Sequence, residues 1–483
     1  MRAATVACFA LVAGGCSSPD LAELAERFAA GDYQGVRMTF DDLAVDDRTD
    51  AHLWWMNRAV ADLAVHQPRA GIEALRRARD RLDELRRDTS WLAWIETAFT
   101  DDRALVYDGA DYEHVLVRAY LALLDLACGE GDVIAYLNQM LLRQVELREE
   151  FVTDEGERPK LGLRSAAIGN WLLAALAADD PTKGDVVRRQ LDAVLEHEPD
   201  CAIARAEQER YAREGLCRPG NGVVQIVALV GLGPYRVARD EPLSSVVLDA
   251  AQRIYNAYRG RVAVPVNLIE QVQIADLVVR HDNPSEVHVA AGPVAAVTET
   301  VTSVDRLAEA EFAVLRPQIV LRAVLRRIFK LVTAEVIKQQ LIEDDDDRRK
   351  GGKKVAAPVG GESAAERRRR EEEERRKRER REQLGSLAVD LLTWLWVAAE
   401  DADTRCWALL PASFQVARLE LPAGVHEVVL RAGDRGRAVG EPQKVAVRVR
   451  AGRTTFVIAQ VPSRRGGPVP MSSDPAAPDP GVQ

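Results

Sequence analysis

No stretch of this sequence runs apolar for eighteen residues without a break, so no segment reads as a membrane-spanning helix. The nearest, Ser386–Glu400, is short and carries Asp390. Cysteine is scarce too, with six in 483 residues and no C-x-x-C pair, which removes the usual signatures of structural zinc and dithiol redox centres. Positive charge is not in excess: a net charge of −10 argues against a nucleic-acid partner for the body of the chain. The seven histidines are scattered, and only His281 and His288 lie near one another. An odd separation on a strand places those two rings on opposite faces, which does not suit a shared metal. No G-x-S-x-G, H-E-x-x-H or P-loop is present. Gly231-Leu232-Gly233 lacks both the third glycine and the following helix of a nucleotide loop. The expectation is a protein with no catalytic residue, no metal and no small-molecule cofactor.

What is present begins at the N-terminus. Arg2 precedes an apolar run of roughly 10–13 residues, the length of a signal-peptide core and too short for an anchor. Ala13-Gly14-Gly15 then leads into Cys16, the arrangement of a bacterial lipoprotein signal, although Ala13 stands where leucine is preferred. Residues 1–15 are therefore expected to be removed and Cys16 to be acylated. Ser17 after the cysteine follows the outer-membrane sorting preference. Several acyl chains hold a protein at a bilayer because each buried CH₂ adds ~0.8 kcal/mol. An ordinary secretory signal is the alternative.

Residues 16–217 read as a helical-repeat domain. Helical stretches of one apolar face are separated by turns at Gly31-Asp32, His66-Gln67-Pro68, Gly129-Glu130-Gly131-Asp132 and Asp179-Asp180-Pro181. Some of these turns recur near the tetratricopeptide period, and such hairpins bury their apolar faces only by stacking. An irregular helical array is the alternative. A Cys201–Cys217 bridge suits an oxidising envelope, with buried thiols the other reading.

Residues 218–342 read as a mixed α/β domain. It opens on VVQIVALV and a turn at Gly231–Pro234 that signals a hairpin with Tyr235–Ala238. Further strands are expected near Val262–Val266, Val272–Arg280 and Glu286–Ala290, and helices over Val246–Tyr258, Arg306–Phe312 and Gln318–Ile342. Residues 343–383 form a charged linker whose arginine and glutamate blocks, four apart, support a solvated spacer helix. Residues 384–462 are read as a helix followed by a small antiparallel β-module, with strands over Phe414–Leu419, Val425–Arg431, Lys444–Arg450 and Thr454–Gln460. The Pro/Gly/Ser-rich tail, 463–483, reads as disordered. The fold class expected is α+β and multidomain.

The most informative stretch is DADTRCWALLPASFQVARLELPAGV. Asp403 and Arg405, two apart on an extended segment, share a face, and a buried arginine must be paired. Trp407 and Leu410-Pro411 would cover the joint between the preceding helix and the β-module. The residues Asp403, Arg405, Trp407 and Pro411 thus form either a structural lock at a domain seam or a ligand site. Together with Leu421-Pro422-Ala423-Gly424-x-His426, this block resembles the C-terminal signature ADxRxWxxLP…LPxGxH of an uncharacterised family of bacterial lipoproteins. Tyr107-x-Gly109-x-Asp111-Tyr112-Glu113 with Tyr120-x-Ala122-Leu123 resembles that family's helical segment, and Arg322–Lys330 its R-x-x-x-R-x-x-x-K region. The resemblance covers most of the chain outside the charged insertion and the tail. It implies a lipid anchor and a tetratricopeptide-like N-terminal half, and it carries over no catalytic residue.

These readings predict a lipid-anchored cell-envelope protein, placed at the outer membrane facing the periplasm. It would act as a scaffold that binds an envelope protein partner through its helical repeats. One alternative is an accessory or regulator of cell-wall synthesis or outer-membrane assembly. Another is an envelope glycan-binding protein or hydrolase working through carboxylates of the middle domain.

Overall fold

The structure is a computed structural model, and it describes residues 20–86, 105–150, 165–259, 271–351 and 402–475. Among these residues the chain is α+β. Nine helices come first: α1 (Leu21–Ala29), α2 (Tyr33–Asp46), α3 (Ala51–Ala64), α4 (Pro68–Arg86), α5 (Asp111–Cys128), α6 (Val133–Glu150), α7 (Ile168–Ala177), α8 (Gly184–His197) and α9 (Ala202–Glu214). Their ends are set by short polar residues. Asp20 Oδ1 accepts the N–H groups of Ala22 and Glu23 at 3.0 and 3.2 Å to start α1, satisfying donors that the first helical turn leaves open. Gly129, at φ +72°, closes α5 in the left-handed conformation that other residues resist. Neighbouring helices pack on one another in chain order from α1 to α9.

The strands are β1 (Asn221–Val230), β2 (Tyr235–Pro242), β3 (Gln271–Val278), β4 (Glu286–Ala291), β5 (Val294–Val297), β6 (Glu299–Ser303), β7 (Ser413–Pro422), β8 (Gly424–Asp434), β9 (Arg437–Ala438), β10 (Gln443–Val449), β11 (Thr454–Val461) and β12 (Val469–Ser472). Two further helices lie between them, α10 (Ser245–Arg259) and α11 (Val304–Gly351). Sheet one has the order β12-β11-β1-β7-β6 and sheet two the order β10-β8-β4-β5, with β9 added on β8. β2 and β3 form a separate ribbon, which packs with α10 and α11 around Val272, Ile274, Val324 and Ile328.

β1 explains the layering. Every residue from Gly222 to Val230 is buried. Val224, Ile226, Ala228 and Val230 join Val428, Leu430 and Val447 of sheet two in one core. Val227 and Leu229 turn the other way, into the large core shared with the helices. A strand covered on both faces needs a continuous apolar run, and VVQIVALV supplies one. The helical array, sheet one and sheet two are therefore three stacked layers. α3, α5 and α7 make direct contact with sheet one: Gln460 Nε2 donates to Val60 O at 2.8 Å. Tyr120 meets Phe414 edge-on at 6.0 Å, and Ile168 N–H donates to Thr302 Oγ1 at 2.9 Å.

Several expectations are corrected by this architecture. The β1–β2 hairpin does not form. β1 pairs in parallel with β11, Val223 opposite Thr454, and antiparallel with β7, while β2 pairs with β3. An apolar run buried on both faces fits a central strand as well as a hairpin arm, which is why the local pattern misled. The segments 218–342 and 384–462 are consequently not separate domains, since each supplies strands to both sheets. The two helices expected over 306–342 are one, α11, which continues through Pro317 and reaches into the segment read as a linker. The tail expected to be disordered contributes β12, paired with β11 from Val457 opposite Ser472. Cys201 and Cys217 are free thiols, Cys201 buried and Cys217 half-buried, with the Cys217 thiol donating to Asn221 O at 3.0 Å. The spacer helix near 367–378, the helix 384–400 and the strand near 262–266 lie outside the described residues.

Candidate functional site

The segment 402–411 enters the molecule between the helical layer and sheet one, just ahead of β7. Arg405 grips Asp403 through two parallel bonds, Nε to Oδ1 and Nη2 to Oδ2, each 2.8 Å. The pairing inferred from their spacing is present. Nη1 reaches across to Asp50 Oδ2, at the start of α3. Asp50 Oδ1 accepts the Tyr107 N–H at 2.8 Å, and the guanidinium carbon lies 5.8 Å from the centre of the Tyr107 ring. Burial lowers the Arg405 pKa, but the Asp403 and Asp50 carboxylates outweigh it and hold the guanidinium above its ordinary value.

A third carboxylate completes the seam. Glu113, on the first turn of α5 and 1% exposed, takes the Tyr107 hydroxyl at 2.5 Å and the Ala110 N–H at 3.2 Å on Oε2. Its Oε1 accepts the Trp407 N–H at 3.0 Å. Burial raises the Glu113 pKa, and these three donors together with Arg236 oppose the rise. Asn57, in the middle of α3, accepts the Leu409 N–H at 3.1 Å and donates to Leu53 O at 3.1 Å and Cys406 O at 3.5 Å. One amide side chain thus fixes both ends of the Cys406–Leu409 turn. Trp407 is 1% exposed and stacks at an angle on Tyr120, with ring centres 5.3 Å apart. Its indole N–H has no acceptor among the described residues. Pro411 is buried beside Gly233, whose N–H donates to Leu410 O at 2.7 Å.

The four residues singled out in the sequence therefore lie on one wall, and the other wall is the Tyr107–Glu113 motif, far away in the chain. Beyond it, Glu311 of α11 accepts the N–H groups of Asp111 and Tyr112 at 2.9 and 3.1 Å, capping α5 from a different element. Burial and the neighbouring Asp111 push the Glu311 carboxyl up to about 8. Arg236 of β2 sits in the field of Tyr107, Tyr112, Glu113 and Asp403. Burial lowers its pKa, and these groups more than restore it. The Cys406 thiol is pushed up to about 11 by burial and by Glu113, so it stays protonated at neutral pH.

Sequence reasoning missed Asp50, Asn57, Arg236 and Glu311. A signal existed for Asn57, a polar residue inside the apolar run AHLWWMNRAVADLA; nothing local marks Arg236 or Glu311. Chemically, the arrangement holds two layers together: its carboxylates, guanidinium and amide are matched to internal partners. Among the described residues no three His, Cys, Asp or Glu side chains converge on a common metal position. Cys16 lies outside the described residues. Among the described residues no helix is long and apolar enough to cross a membrane. No family model, no curated protein and no solved structure matches this chain.

Proposed function

We propose that the protein is a lipid-anchored scaffold of the cell envelope, tethered through acylated Cys16 at the outer membrane. Its tetratricopeptide-like helical hairpins would bind an envelope protein partner without breaking a bond. The observation that carries this reading is the distribution of the helical surface. α3, α5 and α7 are packed on the chain's own sheet, so the inner side of the helices is filled. α6 turns Ile134, Leu142 and Val145 to solvent, 54%, 59% and 47% exposed, and α2 does the same with Met38 and Val45. Apolar side chains left outside on helices are what a partner surface uses. The buried Asp403–Arg405–Trp407 lock supports the same reading, because it ties the helices to the sheet and its carboxylate and guanidinium are matched internally.

Crosslinking in intact cells followed by affinity purification tests this. The acylated protein should bring down a discrete partner that a Cys16→Ser form does not, and an Ile134→Glu/Leu142→Glu variant should lose it. Turnover of a glycan or peptide by the purified protein, abolished by one Asp or Glu substitution, would overturn it.

A further inference from the structure

β5 is the outermost strand of sheet two. Its register on β4 places Val297 opposite His288 and Ala295 opposite Ala290, and the Thr298 N–H donates to Val287 O at 2.9 Å. In an antiparallel pair the hydrogen-bonded positions alternate. Ala295 and Val297 therefore turn their backbone N–H and C=O groups away from β4, toward open space. Both residues are exposed, Val297 by 46%. Beyond Val297 the chain crosses at Thr298 into β6, the outermost strand of sheet one. The stretch from Ala295 to Thr300 thus runs along the rim of both sheets.

An open groove of about 480 Å³ lies against this rim. Its floor is Val297 to Thr300, and its walls are the turn between α8 and α9 on one side and Ser285, Glu286 and Gly436 on the other. Four carboxylates line it, Glu198, Asp200, Glu286 and Glu299, against the single guanidinium of Arg306. Arg306 is paired with Glu198 at 2.9 Å, which leaves three acidic groups in excess. Asp200 is exposed. Glu299 spends one oxygen on the Ile203 N–H at 2.9 Å. Glu286 accepts the Gly436 N–H at 2.7 Å on Oε1, which also lies 3.6 Å from His288 Nε2, and the Ser285 hydroxyl on Oε2. An unpaired strand edge is a template for another strand, and nature normally blocks it with charge or proline on the edge itself. β5, VAAV, carries neither.

We propose that this rim docks an extended, lysine- or arginine-rich segment of a partner protein, added as a strand outside β5. The outward backbone groups of Ala295 and Val297 would fix its register. The carboxylates of the groove would select cationic side chains at alternate positions, where they point to one face. A metal ion fits the groove poorly, because no three ligands converge there. The inference goes beyond the scaffold reading and uses a different surface: it stands or falls whether or not α2 and α6 bind anything.

The test uses the full chain and a fluorescein-labelled peptide alternating lysine with valine, read by anisotropy at low and high salt. Two control peptides replace lysine by glutamate, or carry N-methyl groups on one edge of the backbone. The lysine peptide should bind and weaken with salt, and the glutamate peptide should not bind. An Asp200→Asn/Glu299→Gln variant with an unchanged melting curve should bind about tenfold or more weakly, and N-methylation should cost at least as much. Equal binding of the lysine and glutamate peptides, or full binding by the variant, would overturn the proposal. Undiminished binding of the N-methylated peptide would overturn strand addition.

Discussion

Glu113 Oε1 accepts the backbone N–H of Trp407 at 3.0 Å, and this one bond joins the first turn of the central helix to the segment that leads into the sheet. The same carboxylate also serves Tyr107 and Ala110. Glu113→Ala leaves three buried donors without an acceptor. Each costs about 1–3 kcal/mol when orphaned, so the loss in urea unfolding should exceed about 3 kcal/mol. Glu113→Gln keeps one acceptor and should lose less. Equal losses for the two variants would show that the hydrogen bonds are not what the side chain contributes.

Arg405 neutralises two carboxylates at once. Removing one partner of a buried ion pair costs about 3–5 kcal/mol because a charge is stranded, and Arg405→Met strands Asp50 and Asp403 together. Arg405→Lys should recover only part of this, since an ammonium cannot reproduce the two-pronged grip on Asp403. Thermal melts at low and high salt decide the point: full recovery by lysine would mean that charge alone matters.

Trp407 separates packing from polarity. Its indole N–H donates to nothing described, so Trp407→Phe gives up volume but no hydrogen bond and should cost less than about 2 kcal/mol. Trp407→Ala opens a cavity beside Tyr120 and Phe414 and should cost about 3–5 kcal/mol. Denaturant titration of both variants measures the gap. A gap near zero would contradict the tight contact between these rings.

Glu311 makes stability depend on pH. Burial and the neighbouring Asp111 push its carboxyl up to about 8, from an ordinary 4.5. Between those values the folded chain holds a proton that the unfolded chain has released, so stability falls as pH rises through the window and levels off above it. The slope from this group is at most about 1.4 kcal/mol per pH unit. Asp305, pushed up to about 7 chiefly by burial, adds a slope of the same sign at lower pH. Urea unfolding across pH 5 to 9 should show a flatter profile for Glu311→Gln than for the natural chain. Parallel profiles would place the dependence elsewhere.

Much of the secondary structure is legible in the sequence, because the pattern is local. Alternation in FQVARLEL and KVAVRVR identifies β7 and β10, and the turn residues at Gly31, Pro68 and Gly129 punctuate the helices where the structure does. The Asp403–Arg405 pair is legible for the same reason: two residues apart on an extended chain, they need no fold to meet. Asp50, Asn57 and Glu113 are another matter. They reach the 402–411 segment from hundreds of positions away, and such contacts leave no periodicity to read. β1 failed differently. A run apolar on both faces states that a strand is buried and says nothing about which strands flank it, so its neighbours β7 and β11 had to come from the fold.

The position of β1 also sets the order of assembly. Both of its ladder partners are synthesised long after it, beyond α11 and the charged stretch that follows. Until Val461 has emerged, α3 and α5 lack the contacts that Gln460 of β11 and Phe414 of β7 give them. Nascent chains of this protein therefore carry part of that apolar core uncovered, and a version cut short before β7 would keep it so.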